Sequence, residues 1–234
     1  MKLSVQDLNS HYGPAHILFD IALEVGDGEV VALLGRNGAG KSTTFRSIVG
    51  LVKQRTGRIV FEGKDVSSEP THAIVKRGLG YVPEERRIFT DLTVEENLEV
   101  GRQPIRANAP HWTREKLFTL FPNLGEMRSR QGGRMSGGEQ QMLAIARTLM
   151  GNPTLVLLDE PSEGLAPKVV ELMAETIRSM KKEGLTILVS EQNLHFAKLI
   201  ADQATIIEKG RVCFAGSMAQ LASDEGMQSE YLIA

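Results

Sequence analysis

The apolar positions of the chain first keep a two-residue rhythm and then fall into solid runs. Residues 17–25 (ILFDIALEV) alternate imperfectly, as a half-buried strand does. Residues 30–34 (VVALL) are apolar throughout and stop at Gly35, which suits a strand buried on both faces. Helical spacing follows over about 41–51, and 58–61 and 79–82 read as short strands. From Pro83 to about Met150 charged helical segments dominate and no strand pattern emerges, which predicts a helical insertion. Strand texture resumes after Pro153 at 155–158. It then alternates: a helix near 168–182, a strand at 186–189, a helix near 193–200, and strands near 204–208 and 211–215. This order predicts an α/β fold with a mainly parallel sheet, helices on both faces and an antiparallel N-terminal annex.

Length and composition narrow the class. At 234 residues the chain makes one large domain or two small ones. Apolar content of 41% and charged content of 24% fit neither a disordered nor a fibrous chain. Lys and Arg total 27 against 29 for Asp and Glu, so no nucleic-acid partner is expected. The single cysteine, Cys213, rules out an internal disulfide framework and a cysteine-rich zinc site. Its apolar-looking neighbourhood predicts a small core residue. No apolar run approaches the ~18 residues of a spanning helix, and the start MKLSVQDLNS lacks a signal-peptide pattern. A cytoplasmic chain able to dock on a membrane protein is expected. His11, His16, His72, His111 and His195 show no ligand spacing, and Trp112 and Phe118 are expected in the local core of the insertion.

Candidate chemistry begins at Gly35-Arg-Asn-Gly-Ala-Gly-Lys41-Ser42, which matches G-x-x-x-x-G-K-[ST] after a buried strand and before a helix. Glycines let backbone N–H groups curl around a phosphate, and the helix start presents its positive end to the anion. Lys41 can reach the β- and γ-phosphates, and the Ser42 hydroxyl can bind Mg²⁺.

A second element is Leu155-Val-Leu-Leu-Asp159-Glu160. An apolar strand delivers its terminal carboxylate to the sheet edge where α/β ligands bind. Asp159 there can hold Mg²⁺, usually through a water, and Glu160 can orient and deprotonate a water. A helix cap is the alternative for an isolated Asp-Glu. The third element, Ser136-Gly-Gly-Glu139-Gln140, reads as a capping box opening a helix. The same helix start is a second anion site, which suggests a nucleotide held between two subunits.

In this order and spacing the three elements resemble the ATP-binding subunit of an ABC transporter, over essentially the whole chain. The resemblance implies a P-loop NTPase (RecA-like) core over about 1–82 and 151–234, with a helical subdomain over about 83–150. It implies that Gly35, Arg36, Asn37, Gly38, Ala39, Gly40, Lys41, Ser42 and Thr43 bind the ATP phosphates. Ser136, Gly137, Gly138 and Glu139 face the nucleotide of a second subunit, and Tyr12 stacks on adenine. Tyr12 also reads as a half-exposed strand residue. The family signature is Leu-Ser-Gly-Gly-Gln, from which this chain departs at Met135 and Glu139. Glu84 stands at the glutamine-loop position, where a carboxylate can still approach Mg²⁺ beside Ser42 and Asp159. Glu160 is the implied catalytic base. Gln192 stands where the family carries its switch histidine; its amide can donate to the γ-phosphate but does not titrate near pH 7. Ala166 replaces the usual Asp of the loop after the glutamate, which puts a cross-subunit hydrogen bond in doubt.

Val-Pro-Glu84, Met-Ser-Gly-Gly-Glu-Gln-Gln-Met, Gly-Leu-Ala-Pro and Glu-Gln-Asn together resemble the LivF-type subgroup of branched-chain amino acid importers. Glu85 and Glu163 depart from its pattern and read as surface differences. The urea-importer ATPase shares several of these motifs. The subgroup implies a head-to-tail dimer, with a sister ATPase or a second copy, and two integral membrane permease subunits. These are gripped near residues 84–89 and the helical insertion. A periplasmic or extracellular solute-binding protein delivers the solute. ATP binding closes the dimer and hydrolysis reopens it, at the cytoplasmic face of the inner (plasma) membrane. Two other classes compete. A soluble ABC ATPase of translation, cluster assembly or DNA repair is opposed by the single ATPase unit, with no long coiled-coil insertion or Cys-x-x-Cys hook. A sensing module without turnover is opposed by the presence of both Asp159 and Glu160.

Overall fold

The computed structural model describes residues 1–232. Two sheets carry the fold. The first is antiparallel, in the order β2-β1-β4-β5, from β1 (Leu3–Tyr12), β2 (Ala15–Val25), β4 (Gln54–Phe61) and β5 (Lys64–Asp65). The second has six strands, β10-β9-β3-β8-β7-β6, from β3 (Val30–Leu34), β6 (Leu79–Val82), β7 (Leu155–Asp159), β8 (Thr186–Glu191), β9 (Gln203–Glu208) and β10 (Arg211–Ser217). All its neighbours run parallel except β9 and β10. The mainly parallel sheet and the antiparallel annex therefore stand as the sequence predicts.

The solid apolar runs are explained by the layers. Val30, Ala32 and Leu34 of β3 face a core shared with Val156, Leu158, Ile187 and Val189. The helices α6 (Gly137–Leu149), α7 (Pro167–Lys182) and α8 (Leu194–Ile200) cover that face. Val31 and Leu33 face the other core, formed with Phe45 and Ile48 of α1 (Lys41–Ile48) and with Leu3, Val5 and Leu8 of the antiparallel sheet. A strand covered on both sides has no position left for a polar residue.

Residues 83–150 hold α3 (Val94–Gly101), α4 (Arg114–Leu120), α5 (Pro122–Glu126) and α6, with no strand. Trp112 and Phe118 are buried there, as expected. Their cluster is continuous with Val156 and Ile187, so the insertion shares the core of the sheet. Sequence rhythm misses α2 (Thr71–Lys76) and two C-terminal helices, α9 (Met218–Ser223) and α10 (Glu225–Tyr231). The Ser217–Gln220 capping box was the available signal for α9.

Cys213 corrects an expectation, because it is exposed and not in the core. β10 is an edge strand with alternating burial, and the cysteine falls on its open face.

The turn between β9 and β10 braces the loop after β3. Gly210 donates its N–H to the Ala39 carbonyl (2.8 Å), and its own carbonyl accepts from Phe19 N–H (2.8 Å). Its φ is 75°, and a β-carbon there would run into the Ile17 carbonyl oxygen. Gly210→Ala is expected to lower stability by about 2–4 kcal/mol, measured by urea denaturation. A smaller loss than about 1 kcal/mol would mean that the turn can move away. No helix among the described residues is long and apolar enough to cross a membrane.

Candidate functional site

The loop 35–40 carries the chain from β3 into α1. Gly40 stands at the helix start with φ 115°, a left-handed conformation that leaves the first N–H groups without a side-chain cap. Those donors are free to meet an anion. Lys41, 4% exposed, folds back over the loop. Its Nζ donates to the carbonyls of Gly35 (2.7 Å) and Arg36 (3.1 Å) and pairs with Glu160 Oε1 (2.8 Å).

Asp159 ends β7 fully buried, so its charge must be met by hydrogen bonds. Oδ1 accepts from the hydroxyls of Ser42 (3.0 Å) and Ser190 (2.7 Å), and Oδ2 from that of Tyr81 (3.1 Å). Burial and the adjacent Asp159 carboxylate push the Tyr81 phenol well above its ordinary range, which keeps it a donor. The carboxylate and the Ser42 hydroxyl form an oxygen-only donor set that fits a hard divalent cation. Among the described residues no three His, Cys, Asp or Glu side chains cluster to hold an ion alone. An ion here would share its shell with phosphate oxygens.

Glu160 lies at φ 48°, a strained backbone conformation for a residue with a β-carbon. Its N–H is held by the Ser190 carbonyl and hydroxyl, each at 3.1 Å. β8 thereby fixes the turn that swings the Glu160 side chain back toward Lys41.

Lys41, Ser42, Thr43, Asn37, Gly38, Glu84 and Glu160 line one groove of about 290 Å³. Glu163 stands exposed at the rim of this groove, in keeping with its reading as a surface difference. Glu85 also lies at the surface, paired with Arg46 at 3.1 Å. Burial and the carboxylates of Glu163, Asp159, Glu160 and Glu85 push the Glu84 carboxyl up. Such a groove favours an arriving cation. Tyr12 and Gln192 are exposed and do not line the groove. Ser136 opens α6 as the expected capping box: its N–H donates to Glu139 Oε2 (2.7 Å), and its hydroxyl accepts from Glu139 N–H. The Ser136–Glu139 turn also lies outside the groove.

Three polar residues at this edge escape the motif reading: Tyr81, Ser190 and Glu191. For Glu191 a signal existed. Residues 186–191 (TILVSE) repeat the pattern of 155–160 (LVLLDE), an apolar run ending in a carboxylate. Burial, reinforced by the Glu160 carboxylate, pushes the Glu191 carboxyl up to about 7, against the pull of its contacts with Ser162. An unfolded Glu ionises near 4.5, so the folded state holds the extra proton between about 4.5 and 7 and loses stability as pH rises through that window. Glu191→Gln removes the ionisation. Its Tm relative to the native chain is expected to be higher at about pH 8 than at about pH 5; an equal difference at both would count against the raised pKa.

A phosphate loop between the central strand of a parallel sheet and a helix, with a buried carboxylate two strands away, defines a P-loop nucleotide hydrolase. Residues 18–163 match the ABC transporter family. The chain belongs to that family and is an ATP-binding, ATP-hydrolysing subunit of an ABC transporter. It is 40% identical to the high-affinity branched-chain amino acid transport ATP-binding protein BraG of Pseudomonas aeruginosa, over 98% of this chain and 99% of that one. It is 37% identical to the lipopolysaccharide export system ATP-binding protein LptB of Haemophilus influenzae, over 98% and 96%. An ABC transporter ATP-binding cassette in its ADP conformation matches with a TM-score of 0.81 at 26% identity, covering 97% of each chain.

Proposed function

We propose that this subunit drives import of branched-chain amino acids, working as a head-to-tail dimer against two membrane permease subunits. The observation that carries the ATP chemistry is the convergence of Lys41, Ser42, Glu84 and Glu160 on one groove, over the buried Asp159. Full-length similarity to BraG and the LivF-type motifs favour the solute.

In this reading Lys41 leaves Glu160 for the β- and γ-phosphates, while residues 35–43 wrap them. Ser42, Asp159 and Glu84 would hold Mg²⁺, which when bound neutralises phosphate charge. Glu160 accepts the proton of the attacking water, and Gln192 donates its amide to the γ-phosphate. Tyr12 stacks on adenine. Ser136–Glu139 lies outside this chain's own groove, in keeping with a role on the partner subunit's ATP. Residues about 1–82 and 151–234 act as the catalytic core, and about 83–150 as the helical subdomain that turns with the signature.

The permease contact falls on an apolar groove lined by Val75, Tyr81, Arg87, Phe89, Val100 and Arg147. Phe89 and Val100 are about half exposed there (47% and 54%), a location that suits a short amphipathic helix. The complex sits at the cytoplasmic face of the inner membrane, and a solute-binding protein across the membrane delivers the cargo. A sister ATPase completes the dimer.

The LptB similarity supports a second reading, an export motor for a lipid-linked glycan. Capture from membranes with this chain as bait separates the two. Permeases encoded with a solute-binding protein and a second ATPase are expected, whereas permeases of an export system would overturn the import reading. Phe89→Glu is expected to abolish permease recovery while leaving ATP affinity within about twofold. Undiminished recovery would move the docking surface elsewhere.

A further inference from the structure

Glu191 ends β8 at 1% exposure, and among the described residues it forms no ion pair. A buried carboxylate without a cation is costly unless its oxygens are bonded. Its partners are donors from two loops, the Ser162 hydroxyl and two backbone N–H groups. Oε1 accepts from Ser162 N–H (3.0 Å), two residues past Glu160, and Oε2 accepts from Asn193 N–H (3.3 Å), one past Gln192. The carboxylate joins two segments that otherwise hang from separate strands, β7 and β8.

We propose that Glu191 is a positioning residue for ATP hydrolysis, its carboxylate tying the loop after Glu160 to the loop that carries Gln192, so that both meet the γ-phosphate together. The inference rests on the roles proposed above for Glu160 and Gln192. The ionised form accepts from both loops. Protonation turns one oxygen into a donor and releases one of them. The charged group facing Glu191 is the Glu160 carboxylate, from the loop after β7, and Glu160 is itself paired with Lys41 of α1. Between β8 and α8 the Asn193 N–H approaches Glu191. The upward shift to about 7 places the release near neutral pH.

The test is ATP turnover by the purified full chain across about pH 6–8.5, beside binding of a fluorescent ATP analogue. Glu191→Ala is expected to lower kcat by roughly tenfold with KM and analogue affinity within about twofold. Glu191→Gln, which keeps one acceptor and the side-chain volume, is expected to recover part of kcat. It should also lose the fall in kcat that the native chain shows as pH drops through about 7. Native kcat in Glu191→Ala would overturn the proposal, as would a Gln variant with the native pH profile. So would equal losses of turnover, analogue binding and Tm, which mark a brace of the fold alone. Should the Ala variant fail to fold, the pH profile of the Gln variant decides. Full turnover in Glu160→Gln would instead overturn the catalytic reading itself, leaving native kcat in Glu191→Ala as the sign that only the tie is wrong.

Discussion

Glu160→Gln is expected to lower ATP turnover by on the order of 10²-fold or more while ATP binding tightens several-fold. Both effects follow from one contact. The Glu160 carboxylate is paired with Lys41 at 2.8 Å, and both side chains are nearly inaccessible to solvent. Phosphates must win Lys41 from that carboxylate. An amide of the same size keeps the packing but drops the charge, so it competes less and repels the γ-phosphate less. The same amide cannot take a proton from water, so turnover falls. Phosphate release and equilibrium titration with a fluorescent ATP analogue measure the two effects separately. Near-native turnover would remove Glu160 from the chemistry, and unchanged affinity would mean that its pairing with Lys41 does not oppose phosphate binding.

Lys41→Ala is expected to weaken ATP binding by on the order of 10²-fold, the loss of charge-assisted contacts to two phosphates. It also leaves Glu160 buried with no cation, a situation that typically costs about 3–5 kcal/mol when one partner of a buried pair is removed. Tm of the nucleotide-free chain should therefore drop. The double variant Lys41→Ala with Glu160→Gln tells the effects apart, because it should recover stability without recovering affinity. Calorimetry measures the affinity and thermal unfolding the stability. Native affinity in Lys41→Ala would assign the phosphates to the loop backbone alone.

Much of this edge of the molecule was legible because short-range rules govern it. The run at 30–34 marked a doubly buried strand, and the glycines after it marked a loop that must curl. Ser136 with Glu139 announced a helix start. What stayed illegible depends on contacts between distant segments. Tyr81, on β6, donates to Asp159 across the sheet edge, and no local pattern records that pairing. The strained turn at Glu160 is likewise held by Ser190 of another strand. Cys213 misled because an apolar neighbourhood does not tell an edge strand from a central one.

The position of β3 has a consequence for how the protein is made. The strand that delivers the phosphate loop lies between β8 and β9, and its loop is braced by the Gly210 N–H on Ala39. The ribosome therefore releases the motif roughly 170 residues before its brace, a wait on the order of ten seconds or more at ordinary rates of synthesis. Until residue 186 β3 lacks both strands that flank it, and until residue 210 its loop lacks the brace. A chain broken off before residue 203 would carry every residue of the loop without β9 or the Gly210 brace, and is expected to bind ATP more weakly. The loop's grip on a phosphate thus waits on a turn made late in synthesis, at Gly210.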